Sequence, residues 1–182
     1  MTAVEPRVYG SNDGLMMLTP PWFIRQELPQ DDVEIDLMQE EAFGPGRFAR
    51  TAFRIREGAS AAASLSFVGL IDGVLAGSVR LTPIMIGTTQ AMLLGPLTVS
   101  PSYKNRGLGK ALMATAHEAA KAEGVPAILL IGDAPYYGPL GYQKVPEHTV
   151  ELPGPFDPDR LLILMLQDGP LPFGHVKPGH DH

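Results

Sequence analysis

The chain has 182 residues, a formal net charge of −6, 45% hydrophobic and 19% charged residues, and no cysteine. That length suits one domain with a core of its own, and the apolar share excludes disorder of the whole chain. The missing cysteines exclude a disulfide scaffold, a thiolate nucleophile and a zinc–cysteine site, and the acidic balance argues against nucleic acid as the main partner.

No apolar run approaches the roughly 18 residues of a membrane span, and the first residues lack the basic-then-apolar order of a signal peptide, so no membrane partner is expected and a cytoplasmic location is the default. Residues 1–20, rich in Gly, Pro, Ser and Asn, read as an arm or strap. A strand is predicted over 22–27 and a helix ending near Phe43, with Val33 and Leu37, joined by Ile35 and Met38, as its apolar stripe. A second helical stretch spans 48–56. The runs 65–71 and 74–81 flank Asp72-Gly73, a strong hairpin signal because both turn residues need positive φ. Pro83 should end regular pairing or sit at an edge, with 84–86 a continuation and 87–89 the next turn. A third strand, 92–100, is interrupted at Gly95-Pro96, where a bulge or kink is expected.

The clearest helix spans 107–123, with Leu108, Ala111, Leu112, Thr115 and Ala119 on one face and Lys110, Ala114, His117 and Lys121 opposite. Thr115 fits the apolar face if its hydroxyl bonds a carbonyl one turn back. A short buried strand follows over 127–131, then a compact turn, a short strand and a last strand over 161–166. Residues 167–182 read as a polar tail.

The polar loop 101–106 opens that helix. Its first turn carries unpaired N–H groups and the positive end of the dipole, a ready anion site. Gly107 and Gly109 would let a bulky anion approach the backbone, and Lys104 and Arg106 add positive charge. A P-loop is excluded because Gly109-Lys110 is followed by Ala111 and the required first glycine is Lys104. The dinucleotide fingerprint fails at Leu112, where its third glycine would stand.

What remains, Arg106-Gly107-Leu108-Gly109-Lys110-Ala111, has the form Arg/Gln-x-x-Gly-x-Gly/Ala and resembles the GNAT superfamily of N-acetyltransferases. The strand before it, the strand after its helix, the element order and the segment Tyr137-x-x-x-Gly141-Tyr142 agree. The segments LGPL, GDAPYY and PLGY are most like the YhbS-type acetyltransferases. The resemblance spans residues 21–166 and is sharpest over 93–142. It implies an α/β (α+β) fold, a single domain over 21–166 with a mixed, mostly antiparallel sheet, helices on both faces and a V-shaped splay between strands 92–100 and 127–131.

The resemblance also implies acetyl-CoA as co-substrate and an amine, small molecule or peptide, as acceptor, with direct attack in a ternary complex. Amides from Arg106 through Gly107, Leu108, Gly109 and Lys110 to Ala111 would cradle the pyrophosphate. The strand Leu97-Thr98-Val99 would hold the pantetheine arm, with Leu97 and Val99 bonding it and an N–H near Leu97 polarising the acetyl carbonyl. Tyr137 would protonate the departing thiolate, since a phenol is protonated at neutral pH, and Tyr136 would be a wall residue. For the base, Asp133 is the nearest candidate. Its competing reading is an N-cap, and a water relay would also serve. His117 is expected in solvent, the other four histidines carry no role, and no metal is expected. Ser100 lacks a legible His-Asp pair for hydrolase chemistry. The rival readings are a CoA-binding or acyl-CoA-sensing domain without turnover, and transfer of another acyl group or to a non-amine. Net charge says little about the acceptor cleft, and oligomeric state is left open, a dimer included.

Overall fold

A computed structural model describes residues 9–10, 16–17 and 21–180. Tyr9–Gly10 (β1) and Met16–Met17 (β2) form an antiparallel ladder of their own, and the rest of the expected arm lies outside the described residues. The domain then runs β3 (Trp22–Gln26), α1 (Asp32–Phe43), α2 (Thr51–Arg56), β4 (Phe67–Ile71), β5 (Val74–Ile86), β6 (Thr89–Val99), α3 (Leu108–Ala122), β7 (Ala127–Ile131), α4 (Ala134–Tyr137), β8 (Gln143–Lys144), β9 (Val150–Glu151), β10 (Leu161–Met165) and β11 (Gly174–Pro178). The main sheet has the order β3-β4-β5-β6-β7-β10-β8. Its pairs are antiparallel except β6–β7.

Strand alternation divides the core into two layers. Ile128 and Leu130 face α3, whose Leu108, Leu112, Met113, Ala116 and Ala120 pack over Ala76, Val79 and Leu81. Ala127 and Leu129 face the other way, with Ile84, Ile86, Leu93, Ile163, Val176 and Ile55 of α2. The expected hairpin forms, with Asp72 at φ 51° and Gly73 at φ 78°. Arg80 marks a register shift between β5 and β6. Its Nε donates to Glu27 Oε2 at 2.9 Å and its Nη2 to Asp32 Oδ1 at 2.8 Å, tying the end of β3 and the start of α1 to the sheet.

Four expectations are corrected. Pro83 lies inside β5, paired with Met92. Its carbonyl accepts from Gly179 N–H at 2.9 Å, and a strand residue presents N–H and C=O to the same edge. The missing N–H therefore falls between the end of β4 pairing at Val79 and the start of β11 pairing at Ile84, where no strand requires it. The segment read as a polar tail from 167 returns to the domain, because β11 pairs antiparallel with β5 and parallel with β9, burying Val176. In α1, Val33 and Leu37 are 71% and 60% exposed, and the buried face is Ile35, Met38 and Gln39. That face includes a polar residue, so apolar periodicity could not locate it.

The fourth correction concerns α3. Thr115 Oγ1 does donate to the Ala111 carbonyl at 2.9 Å, but the buried stripe is Leu108, Leu112, Met113, Ala116 and Ala120. That rotation turns His117 inward. Its Nε2 lies 2.9 Å from the Tyr142 hydroxyl, and the ring is half-buried. Burial pushes its pKa below the ordinary 6.5, only partly opposed by Glu118, so folding favours the neutral ring, which can accept the phenol's proton at Nε2.

The start of α3 sits unusually close to the sheet because Gly69 of β4 faces Gly77 of β5. A Cβ on Gly69 would come within 2.6 Å of Leu108 Cδ1, and one on Gly77 within 3.0 Å of Leu112 Cδ1. The two glycines form a flat seat for the first turn of α3.

Two outcomes are expected. Gly69→Val should cost about 1–3 kcal/mol in denaturant unfolding by overpacking and displace the first turn of α3. His117→Ala leaves the buried Tyr142 hydroxyl unpaired and should cost about 1–3 kcal/mol. Because the folded pKa of His117 lies below its unfolded value, its contribution is complete above about pH 6.5 and is lost as pH falls through the folded value. The variant should therefore lose less stability than the parent between pH 6.5 and 5, and parallel stability–pH curves would refute the assignment.

Candidate active site

The sheet opens at one point. β6 and β7 pair only at Met92–Ile128 and Leu93–Leu129, after which Gly95, at φ 130°, bends β6 away. The expected kink is there, and so is the expected splay. On its other edge β6 continues against β5 through Val99. Ser100 N–H donates to Ala76 O at 2.8 Å, and antiparallel alternation then turns Thr98 toward β5 and Leu97 and Val99 toward the opening. Thr98 also has its side chain buried at 3% exposure. Of the three residues expected along the pantetheine arm, Leu97 and Val99 present backbone groups to the cleft and Thr98 does not.

The loop at the other side of the cleft ends on Gly107, at φ 91°, as the N-cap of α3. Ala111 N–H reaches Gly107 O at 3.1 Å, while the preceding first-turn amides of Leu108, Gly109 and Lys110 have no carbonyl one turn back. Arg106 stands over the Tyr103 ring at 5.7 Å. A Cβ on Gly109 would lie 3.0 Å from Tyr136 Oη and 3.6 Å from Val99 Cγ2. The glycine thus lets Tyr136 and Val99 approach the helix start closely.

Tyr137 sits on α4 within a row of rings. It meets Tyr136 edge-on at 4.8 Å between centroids and Tyr142 at 5.7 Å, and Tyr142 in turn is held by His117. Gly132 makes room for it, since a Cβ there would fall 2.4 Å from the Tyr137 ring. Burial, with the neighbouring Tyr136 and Asp133, pushes the Tyr137 pKa up to about 12. Asp133 occupies the N-cap position of α4 without a side-chain capping bond. Its carboxylate lies 3.3 Å from Arg160 Nε.

Between these elements lies a cavity of about 610 Å³ lined by Gly95, Pro96, Leu97, Asp133 and Tyr137 on the sheet side and by α1, α2 and the 155–157 loop on the other. The Thr51 hydroxyl donates to the Pro155 carbonyl and ties α2 to that loop. Four arginines, Arg47, Arg50, Arg56 and Arg160, line it with two aspartates, Asp133 and Asp157. Sequence reasoning missed this arginine lining and Gln39, because the residues lie on separate elements and share no spacing. Among the described residues, no group of three His, Asp or Glu side chains could hold a metal ion.

No curated protein matches the chain. Among solved structures, the GNAT family N-acetyltransferase YhbS from Escherichia coli, in complex with CoA, is 22% identical with a TM-score of 0.74, covering 88% of this chain and 91% of that one. A GNAT family acetyltransferase from Brucella melitensis, in complex with acetyl-CoA, is 26% identical with a TM-score of 0.65, covering 89% and 97%. A GNAT acetyltransferase from Staphylococcus aureus is 16% identical with a TM-score of 0.60, covering 80% and 99%. The sequence model of the acetyltransferase (GNAT) family matches residues 30–137, more than half of the chain, and it encloses the kinked strand, the uncapped helix start and Tyr137. The chain belongs to the GNAT family of acetyltransferases.

Proposed function

We propose that the protein transfers an acetyl group from acetyl-CoA to the amine of a small molecule or peptide by direct attack in a ternary complex. The observation that carries this reading is the opening of the sheet: unpaired edge groups of Leu97 and Val99 face a cleft that also receives the free amides at the start of α3. The relatives from Escherichia coli and Brucella melitensis, solved with CoA and acetyl-CoA, support it. Acetyl-CoA would supply an activated thioester, whose C–S bond breaks as the C–N bond to the amine forms. Work in the cytoplasm belongs to the same proposal, since a cysteine-free chain suits a reducing compartment.

Each part of the chain has one task in this scheme. The amides of Leu108, Gly109 and Lys110 hold the pyrophosphate, helped by the dipole of α3. Leu97 and Val99 bond the pantetheine amides as a neighbouring strand would, and the N–H of Leu97 polarises the acetyl carbonyl. Tyr137 gives its proton to the departing thiolate. The acceptor must first lose a proton, and because Asp133 is engaged by Arg160, water in the open cavity carries it to solvent. Turnover separates this reading from a CoA sensor. Mass spectrometry with isotopically labelled acetyl-CoA and an amine panel should show acetylated product, and binding without any product would favour the sensor.

Gly109→Val should raise the acetyl-CoA Kd at least about tenfold, or roughly 1.4 kcal/mol, with an unchanged circular dichroism spectrum. Unchanged affinity would remove the anion cradle. Tyr137→Phe should keep acetyl-CoA affinity and lower kcat about 10²-fold. With the Tyr137 pKa near 12, the acid stays protonated through pH 10, so no alkaline fall in kcat below that pH should depend on this residue. A loss carried by Tyr136→Phe instead would reassign the acid.

A further inference from the structure

Two side chains that line the cavity, Arg56 and Gln39, each carry a nitrogen without a partner. Arg56 Nε and Gln39 Nε2 are sealed from solvent and make no hydrogen bond among the described residues, and both side chains line the cavity. They reach it from different helices, α2 and α1. The Arg56 guanidinium lies against the kink, since a Cβ on Gly95 would fall 2.7 Å from its Nη2. Arg80, whose charge bears on Arg56, is itself paired with Glu27 and Asp32. Burial and the Arg80 charge press the Arg56 pKa down to about 10, still far above neutrality, so the charge persists without a counter-ion. Leaving a part-buried cation and a buried amide nitrogen unpaired is costly, and a carboxylate entering the cavity would accept from the cavity-facing nitrogens of the guanidinium and from the Gln39 amide once it turns toward the ligand.

We propose that the acceptor is an amine that carries a carboxylate, with Arg56 and Gln39 as its recognition pair. This deepens the transfer reading by naming the substrate class of the same cavity. Arg50 and Arg160 extend the positive lining toward solvent and would draw an anion inward, although Arg50 also stacks on the Phe43 ring at 5.2 Å. Gly95 is what allows Arg56 to lie beside the strand that presents the thioester, so the carboxylate would sit near the reacting amine rather than at the far end of a long molecule.

The test compares L-amino acids with their carboxamides, which keep the amine and remove the charge. The amide's amine is less basic and holds more free base at neutral pH, so chemistry alone would favour it. Calorimetry on the CoA-saturated protein should show acids binding at least tenfold more tightly than matched amides, and kcat/KM should rank them in the same order. Arg56→Gln should abolish the difference, Arg56→Lys should retain part of it, and acetyl-CoA affinity should not change in either. Equal binding of acids and amides, binding of neither, or a preference that survives Arg56→Gln would overturn the proposal. If Arg56→Gln does not fold, Gln39→Ala should cut the preference at least threefold, and an unchanged preference there would also overturn it. Acetyl-CoA binding and labelled product are read separately: their absence removes the transfer reading, whereas the acid–amide comparison on its own decides the acceptor class.

Discussion

The site depends on β6 keeping one neighbour and losing the other. At Met92 and Leu93 the strand is paired on both edges, and beyond Gly95 only the β5 edge continues. A backbone that turns out of a sheet leaves donors and acceptors that water or a ligand must satisfy. Here they belong to Leu97 and Val99, and they line a cleft rather than the outer surface. Gly95 is the residue that permits this, because its φ of 130° is closed to side chains and because a Cβ would strike Arg56. The same bend therefore frees the strand edge and admits the guanidinium.

The second requirement is that a helix start be brought to that free edge. Gly69 and Gly77 let Leu108 and Leu112 settle close to the sheet, and Leu108 is the first residue of α3. The uncapped amides are thus anchored to the sheet through the buried side chain of Leu108 beside them. On the opposite side, the ring row Tyr136–Tyr137–Tyr142 ends on His117. His117 holds the ring that Tyr137 packs against. A residue expected in solvent is thus part of the wall behind Tyr137.

The parts of the fold legible in the sequence were those whose physics is local. Asp72-Gly73 dictates its turn, Gly95-Pro96 its kink, and Gly107 the start of α3, each within a few residues. What escaped was decided at a distance. Pro83 is tolerated because the edge it faces changes partner there, from β4 to β11, and β11 lies some ninety residues later in the chain. The phase of α3 went astray because alanines dominate it, and an alanine reads equally well on a buried or an exposed face. In α1 the buried Gln39 breaks the apolar stripe, and it does so because that face borders a polar cavity and not only core.

The charge of the whole chain illustrates the same point. A net charge of −6 would suggest a cationic partner, yet the cavity beside the kink carries more arginines than aspartates. Long-range charge acts on encounter through a screened field whose reach is about 8–10 Å in physiological salt, whereas recognition is decided by the groups that lose their water. Arg80 is paired with Glu27 and Asp32, whereas Arg56, largely withdrawn from water, has an Nε with no partner and no carboxylate acting on it among the described residues. A protein that needed only stability would replace such a guanidinium with an apolar side chain at little cost or some gain. Its place beside the bent strand fits an anionic group that arrives with the proposed acceptor, and the fold makes room for the guanidinium at the same glycine that opens the sheet.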